Sequence, residues 1–398
     1  MNDSYLPPSL TSDLISELIV SLDLPQPTSI EPLKVSAAFH SIYLIHFSAT
    51  AAPDVSARSN PDGTITLVLR VSGSQLPSIK TRNEVGVMTW VRQNTHIPVP
   101  AIIRYDSTGD NVIKHEFTLL EKASGVSVDN VYHTLSEETR TKMVHQLVDY
   151  LIELHTHPWK DGYVGGLTLE NGEIARGPPM EENFWQTLDL ENYWSESTEM
   201  LESLNPLAPD GYPDYVSFIV DSMRCYIHAI QNHPSLESYR DLLPRMSKFV
   251  AIIQEPQIAK ELNQVTYVLA HKDMHFANIM CDPDHPECPI TAILDWEFSG
   301  IVAAPRWNPR RAFLWNYKET PEDKAEQTRM ENIFESVFQE KGAESILEDA
   351  KLSPLQESMQ IVVNHIRAIV EVCPRGQAKD RVASWRTTAE EGMKEFGA

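Results

Sequence analysis

Three side chains between Leu269 and Met280 have the types and spacing needed to move a phosphoryl group onto an alcohol. His271, Asp273 and Asn278 fit the pattern H-x-D-x-x-x-x-N, and Asp295 follows the apolar run Ala292-Ile293-Leu294 soon after. Such a transfer needs an acceptor for the hydroxyl proton, a divalent cation to neutralise phosphate charge, and ligands to hold that cation. Asp273, in a loop after the largely apolar stretch Val265 to Ala270, suits the first task. Asn278 offers an amide oxygen and Asp295 a carboxylate, both hard ligands of the kind magnesium prefers. His271 is expected to brace the loop by hydrogen bonding. Cys281 to Pro289, with prolines at 283, 286 and 289, reads as the turn between two short strands that present both metal ligands on one side.

These residues need a frame, and the first third of the chain supplies strands. Leu33 to Phe47 reads as a hairpin or pair of strands, with Ser36-Ala37-Ala38 as the turn. Thr64 to Val71 alternates, placing Ile65, Leu67 and Leu69 on one face and Thr66, Val68 and Arg70 on the other. Lys80 to Gln93 reads as a helix in which Glu84, Val87, Met88 and Val91 share one stripe, so Glu84 points toward protein. A carboxylate there is costly unless a cation meets it, and Arg70 on the preceding strand is the nearest candidate. Thr95 to Pro100 ends the helix, and Ala101 to Tyr105 and His115 to Leu120 add strands. Glu121-Lys122-Ala123-Ser124-Gly125 is the expected hinge.

Beyond the hinge the period becomes helical. Ser136 is a good helix start, and Met143, Val144, Leu147, Leu151 and Leu154 form its apolar stripe. Further helices are expected over Phe184 to Leu204, Pro213 to Asn232, Tyr239 to Leu262, Pro321 to Lys341, Pro354 to Val372 and Arg381 to Phe396. A chain of 398 residues exceeds the usual size of a single core, so two lobes are expected. The formal charge of −23 disfavours nucleic-acid and anionic-membrane partners, because their phosphates would be repelled. Cys225, Cys281, Cys288 and Cys373 are scattered without a CxxC, which suits a reducing compartment. Asp3, Asp13 and Glu17 interrupt an N-terminus with no basic leader, so neither a signal peptide nor a membrane span is expected, and the cytoplasm is the expected location.

Between Pro178 and Met223 there is no Lys or Arg, while Glu182, Asp189 and other acids alternate with aromatics such as Trp185. Acids beside aromatic faces suit a cationic small molecule, through ion pairing and cation–π attraction; an acidic solvated helix with its aromatics in the core is the plainer alternative.

The sequence resembles the aminoglycoside phosphotransferase and choline kinase superfamily, whose fold is that of the protein kinases. His271-Lys272-Asp273-Met274-His275-Phe276-Ala277-Asn278 is similar to the family's H-G-D-L-H-x-x-N, and Ile293-Leu294-Asp295-Trp296-Glu297 to its I-D-W-E. Leu67 to Arg70, Glu84 and Phe117 to Glu121 match the small lobe in order, so the likeness runs from about Leu33 to Trp315. It implies an α+β, bilobal, protein-kinase-like fold: a small, mostly antiparallel β lobe with one helix, and a larger, mainly helical C-terminal lobe. Residues 1–122 would form the nucleotide-binding lobe, with 1–32 an N-terminal extension, and 123–398 the catalytic and substrate lobe. The resemblance also implies ATP and Mg2+, with phosphate passing to a hydroxyl of a small molecule. Asp273 would be the base, Asn278 and Asp295 would hold metal, Arg70 the phosphates and Glu84 Arg70, with Glu121 and Ala123 as nucleotide contacts at the hinge. Trp296, Glu297, Glu182, Trp185 and Asp189 are the acceptor-side candidates.

Two departures stand out. Ser36-Ala37-Ala38 lacks the glycine that the family often has in its first hairpin, and Arg70 stands where many members have Lys, so a rigid fork replaces a point charge. Two rival readings follow other lines. A metallohydrolase would use His271, Asp273 and His275 as period-2 ligands on one strand, and the remaining histidines form no second cluster of ligand spacing. A kinase-like scaffold that binds a ligand without phosphorylating it would keep the same residues.

Overall fold

Alternation decides the small lobe. Ile65, Leu67, Leu69 and Val71, each at most 1% exposed, point from one face of strand β3 (Ile65–Ser72), while Arg70 points from the other. The computed structural model describes residues 6–34, 39–157, 159, 161–181, 208–306, 320–378 and 380–398. In it β3 is the centre of a five-stranded antiparallel sheet with β1 (Ser29–Leu33), β2 (His40–Phe47), β4 (Ile102–Asp106) and β5 (Phe117–Glu121), in the order β1-β2-β3-β5-β4. The expected first hairpin exists, but its first strand ends at Leu33 instead of starting there. Most of β1 is exposed at the sheet edge and it contains Pro32, so it carries no alternating apolar signal. Helix α1 (Ser12–Ser21), which the sequence pattern does not announce, is capped by Thr11 and packs Ile15, Leu18 and Ile19 into the same small core.

Helix α2 (Ile79–Asn94) follows β3. Its stripe of Val87, Met88, Trp90 and Val91 joins the large core, together with Leu147, Leu151 and Leu154 of the helix Glu137–His155, and not the core of the small sheet. Side-chain packing therefore does not divide at residue 122, where the chain itself passes from sheet to helices.

The larger part is mainly helical. Glu137–His155 begins at the expected Ser136 cap, and Tyr215–Asn232, Pro321–Glu340, Pro354–Val372 and Val382–Glu395 lie where the period places them. The single helix expected from Tyr239 to Leu262 is instead a 3-10 turn (Pro234–Leu242) and two helices, Leu243–Ile253 and Pro256–Leu262. Pro244 and Pro256 open the two helices, because proline fits a first turn and breaks an interior. Strands β6 (Val126–Ser127), β7 (Gly166–Glu170), β8 (Glu173–Gly177), β9 (Tyr267–Ala270), β10 (Ile279–Cys281), β11 (Ile290–Ile293) and β12 (Gly300–Ala303) form small sheets among the helices. The hairpin β7-β8 and strand β12 were not anticipated. The turn Ser36 to Ala38 and the helix Phe184 to Leu204 lie outside the described residues. No described helix is long and apolar enough to cross a membrane.

Candidate active site

Two strand pairs set the stage. β9 is buried throughout and pairs with β12, which fixes the level at which the chain leaves into the loop carrying His271 and Asp273. β10 pairs with β11 in the register Ile279↔Ile293, and the Leu294 N–H donates to the Asn278 carbonyl at 2.8 Å. Asn278 and Asp295 thus sit at the same end of one hairpin, the arrangement expected from the Cys281 to Pro289 turn.

His271 is 1% exposed, with Nε2 2.8 Å from the Leu294 carbonyl and the Asp273 N–H donating to Nδ1 at 3.3 Å. These partners demand the neutral ring with its proton on Nε2, and burial holds its pKa below the usual value. The ring also packs edge-on against Trp296 at 4.5 Å. Asp273 is open, its side chain 52% exposed, and Asn278 Nδ2 donates to its backbone oxygen at 3.0 Å and to Oδ2 at 3.3 Å. That use of Nδ2 leaves the Asn278 amide oxygen for a ligand.

Arg70 joins the sheet to this hairpin. Nη1 donates to Glu84 Oε1 at 2.5 Å and Nη2 to Asp295 Oδ1 at 2.7 Å. Glu84 is 1% exposed, and the Thr118 hydroxyl donates to its other oxygen at 3.2 Å. Burial raises the Glu84 pKa against the pull of Arg70. Burial also opposes the Asp295 carboxylate, but the guanidinium beside it prevails and holds that pKa below the ordinary range. Asp295 itself adopts φ +66°, a backbone conformation unusual for a residue with a side chain.

Behind Arg70 lies a second layer that the sequence reading missed. Lys80, 1% exposed, brings Nζ to 3.5 Å from Glu297 Oε2, and His40 Nδ1 lies 3.3 Å from the same oxygen. Burial, with the charges of Asp295 and Glu84, pushes Glu297 up to about 8 against the pull of Lys80 and Arg70. Lys80 stands four residues before Glu84, one turn away on the same helix face, so helical spacing carried the signal.

Glu297 and Trp296, candidates for the acceptor side, are both buried. Glu297 is 2% exposed and turned toward Lys80 and Arg70, and Trp296 is fully buried with its indole N–H donating to the Ile293 carbonyl at 2.9 Å. Glu182, Trp185 and Asp189 lie outside the described residues. Just before them Glu181 is reached by Lys272 at 3.3 Å and by Arg306 at 3.4 Å. Burial opposes its charge, but Arg306 and Lys272 pull its pKa down to about 2. Lys272 adopts φ +66° at the position of the family pattern's Gly, and Nζ donates to the Met180 carbonyl at 2.6 Å. At the hinge, Glu121 turns its carboxylate to the Arg58 N–H at 3.0 Å. With Ala123 it lines a cavity of about 670 Å³ that also takes in Arg92, His96 and Thr291, apart from Asp273, Asn278 and Asp295.

The profile of the phosphotransferase enzyme family (APH) matches residues 45–302, more than half of the chain. No curated protein sequence matches. Among solved structures, the GDP complex of wild-type aminoglycoside 2'-phosphotransferase-IIIa is similar over 97% of this chain and 99% of its own, at 12% identity and TM-score 0.47. The gentamicin complex of APH(2")-IIa is similar over 98% and 96%, at 12% identity and TM-score 0.48. ADP-bound APH(2'')-Ib is similar over 96% and 97%, at 13% identity and TM-score 0.47. At such identities and scores these likenesses carry no argument about substrate. The matched profile, covering both Arg70 and the hairpin with Asp295, settles the family: the chain belongs to the phosphotransferase enzyme family.

Proposed function

We propose that the protein transfers the γ-phosphoryl group of ATP to a hydroxyl of a small cationic or amine-bearing molecule. The observation that carries the reading is the bonded chain Glu84–Arg70–Asp295, whose last member sits on the same hairpin end as Asn278, beside Asp273. Asp273, exposed and held by Asn278, accepts the proton of the acceptor hydroxyl. Arg70, oriented by Glu84, holds the nucleotide phosphates, and the hinge at Glu121 and Ala123 meets the base. His271 keeps the loop in place through its two ring nitrogens.

The residues present fit magnesium. The Asn278 amide oxygen and the Asp295 Oδ2 atom have no hydrogen-bond partner among the described residues, and both are hard oxygens. Two protein ligands suffice, since magnesium usually completes its octahedron with phosphate and water. Bound there, it would neutralise phosphate charge during transfer.

The acidic, aromatic composition between Glu181 and Tyr215 supports an amine-bearing acceptor. Cys225, Cys281, Cys288 and Cys373 are all free thiols, which supports a cytoplasmic setting. A screen of amines and amino alcohols with γ-labelled ATP tests the proposal. Label appearing in an amine-bearing product supports it, and label moving only to acceptors without an amine overturns the acceptor class.

A further inference from the structure

Helix α2 carries two adjacent polar residues that face different ways, and only Glu84 is accounted for by the ion pairs with Arg70. Its neighbour Asn83 is 3% exposed and points into the large lobe. Its Nδ2 donates to the Glu297 carbonyl and to the Ser299 carbonyl, both at 2.9 Å, and its Oδ1 accepts the Leu167 N–H at 2.9 Å. Both amide protons and the amide oxygen are thus used by three backbone groups from two other segments. The orientation is forced, because a flipped amide would set its oxygen against two carbonyl oxygens. One of those segments, Glu297 to Ser299, leads directly away from Asp295.

The contact is made at backbone range. A Cβ on Gly86, one turn along the same stripe, would come within 2.5 Å of the Leu167 carbonyl oxygen, and one on Gly166 within 2.3 Å of Asn83 Oδ1. Helix α2 therefore lies flush on β7, with no layer of side chains to allow sliding. Consistent with this, Val87, Met88, Trp90 and Val91 pack into the large core.

We infer that Asn83 is a positioning residue for the metal-binding turn: it bolts the chain just after Asp295 to helix α2, so that Asp295 and Glu84 keep a fixed spacing for Arg70 to bridge. The inference rests on the phosphotransferase reading, which gives Asp295 its role. In this role Asn83 acts through the backbone at Glu297 and Ser299. Buried amides satisfied at every atom specify one arrangement, and losing them leaves two carbonyls and one N–H without partners.

The test is the Mg2+ dependence of ADP binding, measured by titration calorimetry on the full chain. The quantity read is the ratio of ADP dissociation constants without and with Mg2+. General destabilisation lowers the folded fraction in both titrations and cancels in that ratio. Asn83→Asp, the same size but with an acceptor facing two carbonyls, is expected to lower the ratio at least tenfold while the metal-free constant changes less than threefold. Asn83→Ser, which cannot span the three groups yet buries no charge, is the second variant and is expected to move the ratio in the same direction, with circular dichroism confirming that it is folded. A wild-type ratio retained in folded Asn83→Ser overturns the inference alone. A wild-type protein whose ADP binding ignores Mg2+ overturns the phosphotransferase reading and the inference with it.

Discussion

Arg70 Nη2 lies 2.7 Å from Asp295 Oδ1 across 225 residues of sequence, while Nη1 of the same guanidinium lies 2.5 Å from Glu84. A planar fork can serve two carboxylates at once, and a lysine ammonium on a flexible stem cannot do so with the same geometry. Arginine at this position therefore ties the sheet to helix α2 and to the turn that carries Asp295.

Replacing the fork tests that role. Arg70→Lys is expected to weaken ATP binding by roughly tenfold or more, because one partner must be released. Arg70→Met leaves the Glu84 carboxylate buried without its cation, and is expected to lower stability by about 3–5 kcal/mol. Titration calorimetry reads the first effect and denaturant melts the second; unchanged ATP affinity in Arg70→Lys would show that the fork is not needed.

Asp273 should separate turnover from folding. Its side chain is half exposed and lies in a loop, so Asp273→Ala is expected to shift stability by less than about 1 kcal/mol while removing a roughly 10²–10⁴-fold contribution to kcat. Thermal melts and steady-state rates check the two halves independently.

Gly86→Ala addresses the close approach of helix α2. A methyl group there would lie 2.5 Å from the Leu167 carbonyl oxygen, which is backbone and cannot rotate away. The alanine gains about 1 kcal/mol of helix propensity, yet overpacking costs about 1–3 kcal/mol, so a net loss is expected. A raised melting temperature would mean that helix α2 can lift from β7.

Glu181 gives a pH dependence with a definite sign. Its folded pKa of about 2 lies below the ordinary 4.5, so the ion pairs with Lys272 and Arg306 contribute stability that is fully present above pH 4.5. That contribution is lost as pH falls from 4.5 toward 2, and its size is at most about 3 kcal/mol. Glu181→Gln should flatten the acid limb of the stability curve between those values. Parallel acid limbs in the two proteins would show that the pairs add nothing.

Much of this arrangement was legible in the sequence because it rests on short-range periodicities. The alternation through Arg70, the helical stripe through Glu84 and the loop spacing of His271, Asp273 and Asn278 each depend on neighbours within a few residues. What was hidden depends on partners far away. Asn83 reads as an ordinary helix residue, since its partners are backbone groups more than 80 residues distant. Glu297 resembles an exposed acid until Lys80 is folded over it. Strand β1 shows no alternation because its edge is open, whereas the hairpin β7-β8 was announced by Asn171-Gly172, whose φ values of +52° and +83° suit a tight turn.

The central claim is that Asp273 and the hairpin bearing Asn278 and Asp295 carry phosphoryl transfer from ATP. It is tested most directly by measuring acceptor-dependent ADP formation in the presence of Mg2+, with the wild-type chain and Asp273→Ala side by side over a panel of amines and amino alcohols. The account predicts turnover with at least one acceptor for the wild type and its loss in folded Asp273→Ala. Equal turnover in both proteins, or a wild type that binds neither nucleotide nor metal, would contradict it.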